Sequence, residues 1–171
     1  MEYKIVYSKR KTLSLCIQDG GLVVRAPYGL PAAKIGEAVA RHRRWIDNAI
    51  TRIAARESMT SSLTDADVLR LKREAARVLS AKTAEYAAIM GTSYNRVTVT
   101  SARTRFGSCS AKGNISYSYR LMLYPEPAID YVVVHELAHT LEMNHSPRFW
   151  AVVEKYMPDY KERKKLLKPR A

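Results

Sequence analysis

Three of the four histidines in this 171-residue sequence fall within eleven residues, as His135-Glu136-Leu137-Ala138-His139 and then His145. Zinc needs donor nitrogens about 2.0–2.1 Å from a single point. Residues i and i+4 of a helix face the same way, with Cβ atoms roughly 5–6 Å apart. His135 and His139 can therefore pinch one ion if their segment is helical. Glu136 lies about 100° around the helix from His135, which keeps it off the metal but near a water on it. Zinc lowers the pKa of such a water from about 15.7 towards about 7. Glu136 is then placed to take the proton as the water attacks a polarised carbonyl, and to pass it to the leaving group. The pattern predicts a hydrolase site with one zinc ion, His135, His139 and His145 as ligands, and Glu136 as catalytic base.

His145 cannot join from a continuous helix. Six residues beyond His139 is about 600° of rotation and about 9 Å of rise, which leaves the side chain pointing away. The helix must stop and the chain must turn, and Asn144 is the residue there best able to take a left-handed conformation. A rival third ligand is Glu154, as in sites of the His-His-Glu kind. Glu142 shares the face of the two histidines on an extended helix. Three ligands on one straight helix do not converge, so it reads as a supporting or solvent-facing group.

The elements that must hold this site follow from periodicity and punctuation. Residues 128–143 read as the metal-bearing helix, preceded by Pro125 and Pro127. Ser146-Pro147 starts another helix, with Ser as cap and Pro in its first turn. That helix carries Phe149 and Trp150, aromatics suited to bracing the site, and a short basic helix follows Pro158. Upstream, 96–100 (Arg-Val-Thr-Val-Thr) is a strand, 101–110 is irregular, and 115–123 alternates as a strand. Residues 114–119 are expected near the cleft, able to pair with an extended peptide. A long helix runs from a Thr64/Asp67 capping box to Gly91. At the N-terminus, 3–7 and 12–18 alternate, Asp19-Gly20-Gly21 is a turn signal and Leu22-Val23-Val24 follows, which reads as a β-hairpin. Helical spacing of Ile35, Val39, Ile46, Ile50 and Ile53 then predicts one helix over 32–56. The expected organisation is residues 1–60 as hairpin and helix packed on a core, and 61–171 as the catalytic core, the two forming one compact unit.

Composition bounds the partners. Hydrophobic residues make up 47% and charged residues 26%, as in ordinary globular chains, but the net charge is +13. Such a field attracts anionic partners, nucleic acid among them. Arg41, Arg43, Arg44, Arg52 and Arg56 form one basic group, and Lys161, Arg163, Lys164, Lys165, Lys168 and Arg170 another. Two cysteines, Cys16 and Cys109, make no disulfide framework. With no signal-peptide pattern and no apolar stretch long enough to span a bilayer, the expectation is a cytoplasmic protein with no membrane association.

Several segments together resemble one family. Arg105-Phe106-Gly107-Ser108-Cys109-Ser110, Ile129 to His139, Asn144-His145-Ser146 and Phe149-Trp150 are similar to the YgjP-like metallopeptidases, zincins related to the SprT-like and WLM groups. Leu22-Val23-Val24-Arg25-Ala26-Pro27 and Trp45-Ile46 extend the likeness towards the N-terminus. The resemblance implies an α+β fold with a zincin-like metallopeptidase core, and a zinc-dependent hydrolase with His135, His139 and His145 as ligands and Glu136 as base. The chain departs from the family at Phe106, where Trp is usual, and at Tyr117-Ser118, where a Leu-Asn pair is usual; the latter lies on the strand that borders the cleft in zincins.

The leading function is therefore a zinc metallopeptidase acting on a peptide or protein substrate. Two alternatives are a zinc hydrolase of a nucleotide or other phosphorylated small molecule, and a nucleic-acid-associated protease of the SprT-like kind. The positive charge is the sequence feature favouring either alternative; no phosphate-binding loop, zinc finger or helix-turn-helix accompanies it. Tyr117, Tyr119 and Arg105 are candidates for contacting substrate or oxyanion, and Cys109 reads as a small buried thiol.

Overall fold

The structure is a computed structural model that describes residues 2–18 and 20–168, with the backbone alone at Arg56. The fold is α+β, and the chain divides into two compact units, Met1–Glu57 and Ser58–Ala171. Asp19 of the turn signal and Arg170 of the C-terminal basic group lie outside the described residues.

In the first unit, β1 (Tyr3–Ser8), β2 (Ser14–Gln18) and β3 (Gly21–Pro27) form a sheet in the order β1-β3-β2. The hairpin is β2–β3, with Ile17 opposite Leu22, while β1 runs parallel along the other edge of β3. Leu22, Val24 and Ala26 are buried on one face, as strand alternation demands, together with Ile35, Val39, Ile46, Ala49 and Ile53. The helix expected over 32–56 is two helices, α1 (Ala32–Arg41) and α2 (Arg43–Ser58). At the break, His42 Nδ1 bonds the carbonyl of Ala38 at 2.8 Å, and the His42 N–H is shared among nearby carbonyls. A side chain inserted into the helical ladder interrupts it where apolar spacing alone shows nothing.

The second unit begins with α3 (Asp65–Met90). Thr64 Oγ1 accepts from the Asp67 N–H at 3.2 Å, and the Thr64 N–H donates to the Asp67 carboxylate at 3.1 Å. The helix ends at Gly91, φ 62°, with Thr92 N–H on the Ala87 carbonyl and Gly91 N–H on that of Ala88. These are the two bonds that satisfy orphan carbonyls when a left-handed glycine ends a helix. Next come β4 (Arg96–Thr100), β5 (Gly107–Cys109) and β6 (Asn114–Ser118), a sheet in the order β4-β6-β5. The irregular reading of 101–110 thus misses β5, too short for alternation to register. The strand expected over 115–123 stops at Ser118, whose hydroxyl caps a 3₁₀ turn over Tyr119–Leu123.

The helix expected to carry the metal ligands is α4 (Glu126–Ala138), followed by α5 (Pro147–Tyr156) and α6 (Tyr160–Lys165). Buried positions surround the α4 axis: Ile129, Val132, Val133, Val134 and Leu137 all lie in the core. A helix apolar on all sides belongs inside a domain, and each such side chain contributes roughly 1.5–3 kcal/mol on burial. Lys82 of α3 bonds Asp130 of α4 at 2.7 Å and Glu126 at 2.7 Å, and Arg163 of α6 reaches Asp130 at 3.4 Å. Packing and this ion-pair group hold the helix at a fixed angle to its neighbours. Among the described residues no helix is long and apolar enough to cross a membrane.

Candidate metal centre

The last turn of α4 presents His135 and Glu136, and the helix stops at His139, earlier than the expected Met143. Side chains end it. Thr140 Oγ1 donates to the Leu137 carbonyl at 2.7 Å and meets Thr92 Oγ1 at 2.6 Å, while His139 Nδ1 lies 3.2 Å from the Glu142 carbonyl. Asn144 therefore does not end the helix. The chain turns over 140–145 and enters α5 at Ser146, whose hydroxyl accepts from Phe149 N–H at 3.4 Å. Pro147 follows in the first turn. This returns His145 to the other two histidines.

One ring nitrogen from each of His135, His139 and His145 lies within 4.8 Å of the others, and His135 Nε2 and His145 Nε2 are 3.0 Å apart. The ring centroids are 4.7–5.1 Å apart. Phe149, fully buried, touches all three rings at 4.5–4.9 Å between centroids and forms the floor beneath them. Trp150 lies 5.9 Å from His135 and 5.8 Å from His145. Glu154 is directed elsewhere: it is 3.9 Å from Lys161 and 58% exposed.

The donor set fits a metal ion. The Nε2 atoms of His135 and His145, 3.0 Å apart, can share the proton of one neutral ring or turn both lone pairs on a common cation. Burial, with the neighbouring histidines and Lys164, pushes His135 down to about 3, and burial also lowers His139. The Nδ1 atoms have other partners: Tyr131 Oη at 3.4 Å for His135 and the Glu142 carbonyl for His139. A proton on Nδ1 leaves the Nε2 lone pair free for a metal, the arrangement that fixes ligand tautomers in metal sites.

Glu136 is 5% exposed, and burial pushes its carboxyl up to about 8 against the opposing charge of Arg105. The backbone of β5 stands directly against Glu136. A Cβ on Gly107 would stand 2.5 Å from Glu136 Oε1, 2.6 Å from Cγ and 2.7 Å from Cδ. Only glycine lets the strand approach so closely. The sequence carried a signal for it, since a glycine inside a strand marks close backbone approach. Cys109, two residues on, is half-buried, and burial with the Glu136 charge pushes its thiol up.

Other expected contacts are absent. Tyr117 is fully buried with its hydroxyl 3.1 Å from Thr83, and Tyr119 is 3% exposed, so both belong to the core. Ser118 is buried as well, donating to the Ala102 carbonyl. The segment 114–119 offers no edge to a peptide, because β6 is central, paired with β4 on one side and β5 on the other. The outer edge of β5 has no partner strand among the described residues. The basic groups are partly neutralised: Arg43 pairs with Asp47, Arg163 with Asp159 and Lys165 with Glu162.

The family model for the YgjP-like metallopeptidase domain matches residues 65–170. The chain belongs to this family. Metal-dependent hydrolysis is thereby its class of chemistry, and peptide or protein its class of substrate. No curated protein matches it. The YgjP-like chain is also similar to two crystal structures of metallopeptidase zymogens. One is Pyrococcus abyssi abylysin, at 26% identity and TM-score 0.47 over 51% of this chain and 89% of that one. The other is Methanocaldococcus jannaschii jannalysin, at 17% identity and TM-score 0.43 over 51% and 90%.

Proposed function

We propose that the protein is a zinc-dependent peptidase in which His135, His139 and His145 hold a single zinc ion and Glu136 is the general base. The observation that carries this reading is the convergence of three imidazole nitrogens beside a buried glutamate. Three neutral imidazoles with a carboxylate kept off the metal are the composition of catalytic rather than closed structural zinc sites. When bound, zinc supplies Lewis acidity, polarising a carbonyl and acidifying water. Glu136 accepts a proton from the attacking water and returns it to the leaving amine. Burial keeps bulk water from that carboxyl, so it exchanges its proton with the attacking water and the leaving amine. Phe149 keeps water from the inner side of the histidines. The free edge of β5, in the strand whose Gly107 meets Glu136, is the place for an extended peptide to pair. Both cysteines are free thiols, which suits a cytoplasmic location.

The test is metal analysis with kinetics. We expect one zinc in the wild type, loss of zinc in His145→Ala and retention in Glu154→Ala. Glu136→Gln should keep zinc and lose turnover by roughly 10²–10⁴-fold on any peptide the wild type cleaves. Zinc retained by His145→Ala but lost from Glu154→Ala would overturn the ligand set, and near-normal turnover of Glu136→Gln would remove the base.

A further inference from the structure

Two cations act on the metal centre, and their settings differ. Lys164 of α6 acts on His135 and lies 4.8 Å over the Trp150 ring, so its charge already has an aromatic face as partner. Arg105 stands two residues before Gly107, whose backbone lies against the Glu136 side chain. Arg105 is exposed, and among the described residues its side chain has no ion-pair or hydrogen-bond partner.

The backbone that carries Arg105 is anchored. The carbonyl of Phe106 accepts from Ser118 N–H at 2.8 Å, and the Phe106 ring meets Tyr124 edge-on at 4.9 Å. One residue later, Gly107 rests against Glu136. Arg105 is thus held beside the reacting groups with its guanidinium uncommitted. Arg43 and Arg70, by contrast, have local carboxylates in Asp47 and Asp67. An arriving anion is attracted by the exposed guanidinium of Arg105. A planar guanidinium matches a carboxylate through paired, charge-assisted hydrogen bonds.

We propose that Arg105 binds a carboxylate of the substrate near the scissile bond, so that the enzyme selects peptides carrying a free C-terminus or an acidic side chain there. The inference rests on the peptidase reading above, and its test separates the two.

Matched peptide pools are offered to the zinc-loaded protein in two arms. One compares free C-terminal carboxylates with carboxamides, and the other compares Glu with Gln at internal positions. In one arm the acidic member should be preferred by about three- to tenfold in kcat/KM, through KM, as befits a charge-assisted bond at a partly solvated site. Arg105→Gln should bring that ratio to about one, whereas Lys164→Gln should leave it standing. Because Arg105 also acts on Glu136, its loss changes turnover of both members alike, and only the ratio reports the carboxylate. A second readout needs no turnover: calorimetric binding of carboxylate-terminated and carboxamide-terminated peptide hydroxamates, and of their Glu and Gln forms, to zinc-loaded Glu136→Gln. The same preference should appear there and vanish when Arg105→Gln is added. Preferences absent from the wild type in both arms, or persisting in Arg105→Gln, overturn the proposal and leave the peptidase reading intact. An Arg105-dependent binding preference with neither pool cleaved supports the carboxylate site and overturns the peptidase reading.

Discussion

Replacing Gly107 with alanine probes how the base is held. The new Cβ would stand 2.5 Å from Glu136 Oε1 and 2.6–2.7 Å from Cγ and Cδ, against 3.4 Å or more for ordinary contact, so a displacement of about 0.9 Å is needed. Oε1 alone could swing aside, but Cγ and Cδ cannot clear the methyl unless the whole side chain changes course. A misplacement of roughly 1 Å at a reacting group costs about 10²-fold in rate, or about 2.7 kcal/mol of barrier. The backbone of Gly107 is not left-handed, so alanine adds no dihedral strain there. The assay compares kcat/KM, zinc content and melting temperature of wild type, Gly107→Ala and Ser108→Ala, the last carrying its change on the other face of the strand. We expect zinc retained in both variants and turnover lost only in Gly107→Ala. In a Glu136→Gln background the Gly107→Ala penalty should disappear, because two groups acting as a unit are not additive. Wild-type turnover in Gly107→Ala, or an undiminished penalty in the Glu136→Gln background, would refute the claim that Gly107 acts through Glu136.

Two further changes test the support around the site. Tyr131→Phe removes the phenol 3.4 Å from His135 Nδ1 and should weaken zinc binding by about tenfold, the lower end for such partners because the bond is long; an unchanged dissociation constant in chelator competition would assign the phenol to packing alone. Asp130→Ala strips the shared carboxylate from Lys82 and Arg163, whose side chains are 18% and 27% exposed. A fully buried pair costs roughly 3–5 kcal/mol to break, and partial exposure reduces this to about 2 kcal/mol, or roughly 8 °C in melting temperature. A shift below about 2 °C would show that α4 is held by apolar packing without the ion pairs.

What could be read from the sequence, and what could not, divides by the range of the interaction. The His135/His139 spacing, the Thr64/Asp67 cap, the Gly91 stop and the Ser146-Pro147 start are local rules, and each appears where expected. The end of α4 depends on Thr140 meeting Thr92, 48 residues away, and on a histidine bonding a carbonyl beyond the helix. Apolar periodicity cannot register such contacts, so the helix was expected to run on to Met143. Tyr117 fails as a candidate for contacting substrate or oxyanion for the same reason. Its alternation was correct, but which face of β6 is covered depends on α3, where Thr83 receives its hydroxyl. β5 was missed because three residues are too few for a period. Its glycine nonetheless packs against Glu136, the carboxyl proposed as the base.

The centre is unbalanced as a purely protein site, and that imbalance bears on its function. Glu136 is buried with no hydrogen-bonding cation among the described residues, a setting that favours its neutral form. His135 and His139 are packed on Phe149, and burial also keeps these two neutral. A core selected for stability alone would place apolar side chains here, since unpaired buried polar groups cost free energy. A divalent cation held by the three nitrogens would relieve both costs together. It would give the lone pairs a common acceptor, and its charge would favour the carboxylate form of Glu136 that can accept a proton. The same burial that makes the apo arrangement costly leaves the ion and the base poorly screened from each other. Their coupling is therefore strong where it is needed, at the face of α4 where β5 has no side chain to stand between Glu136 and its surroundings.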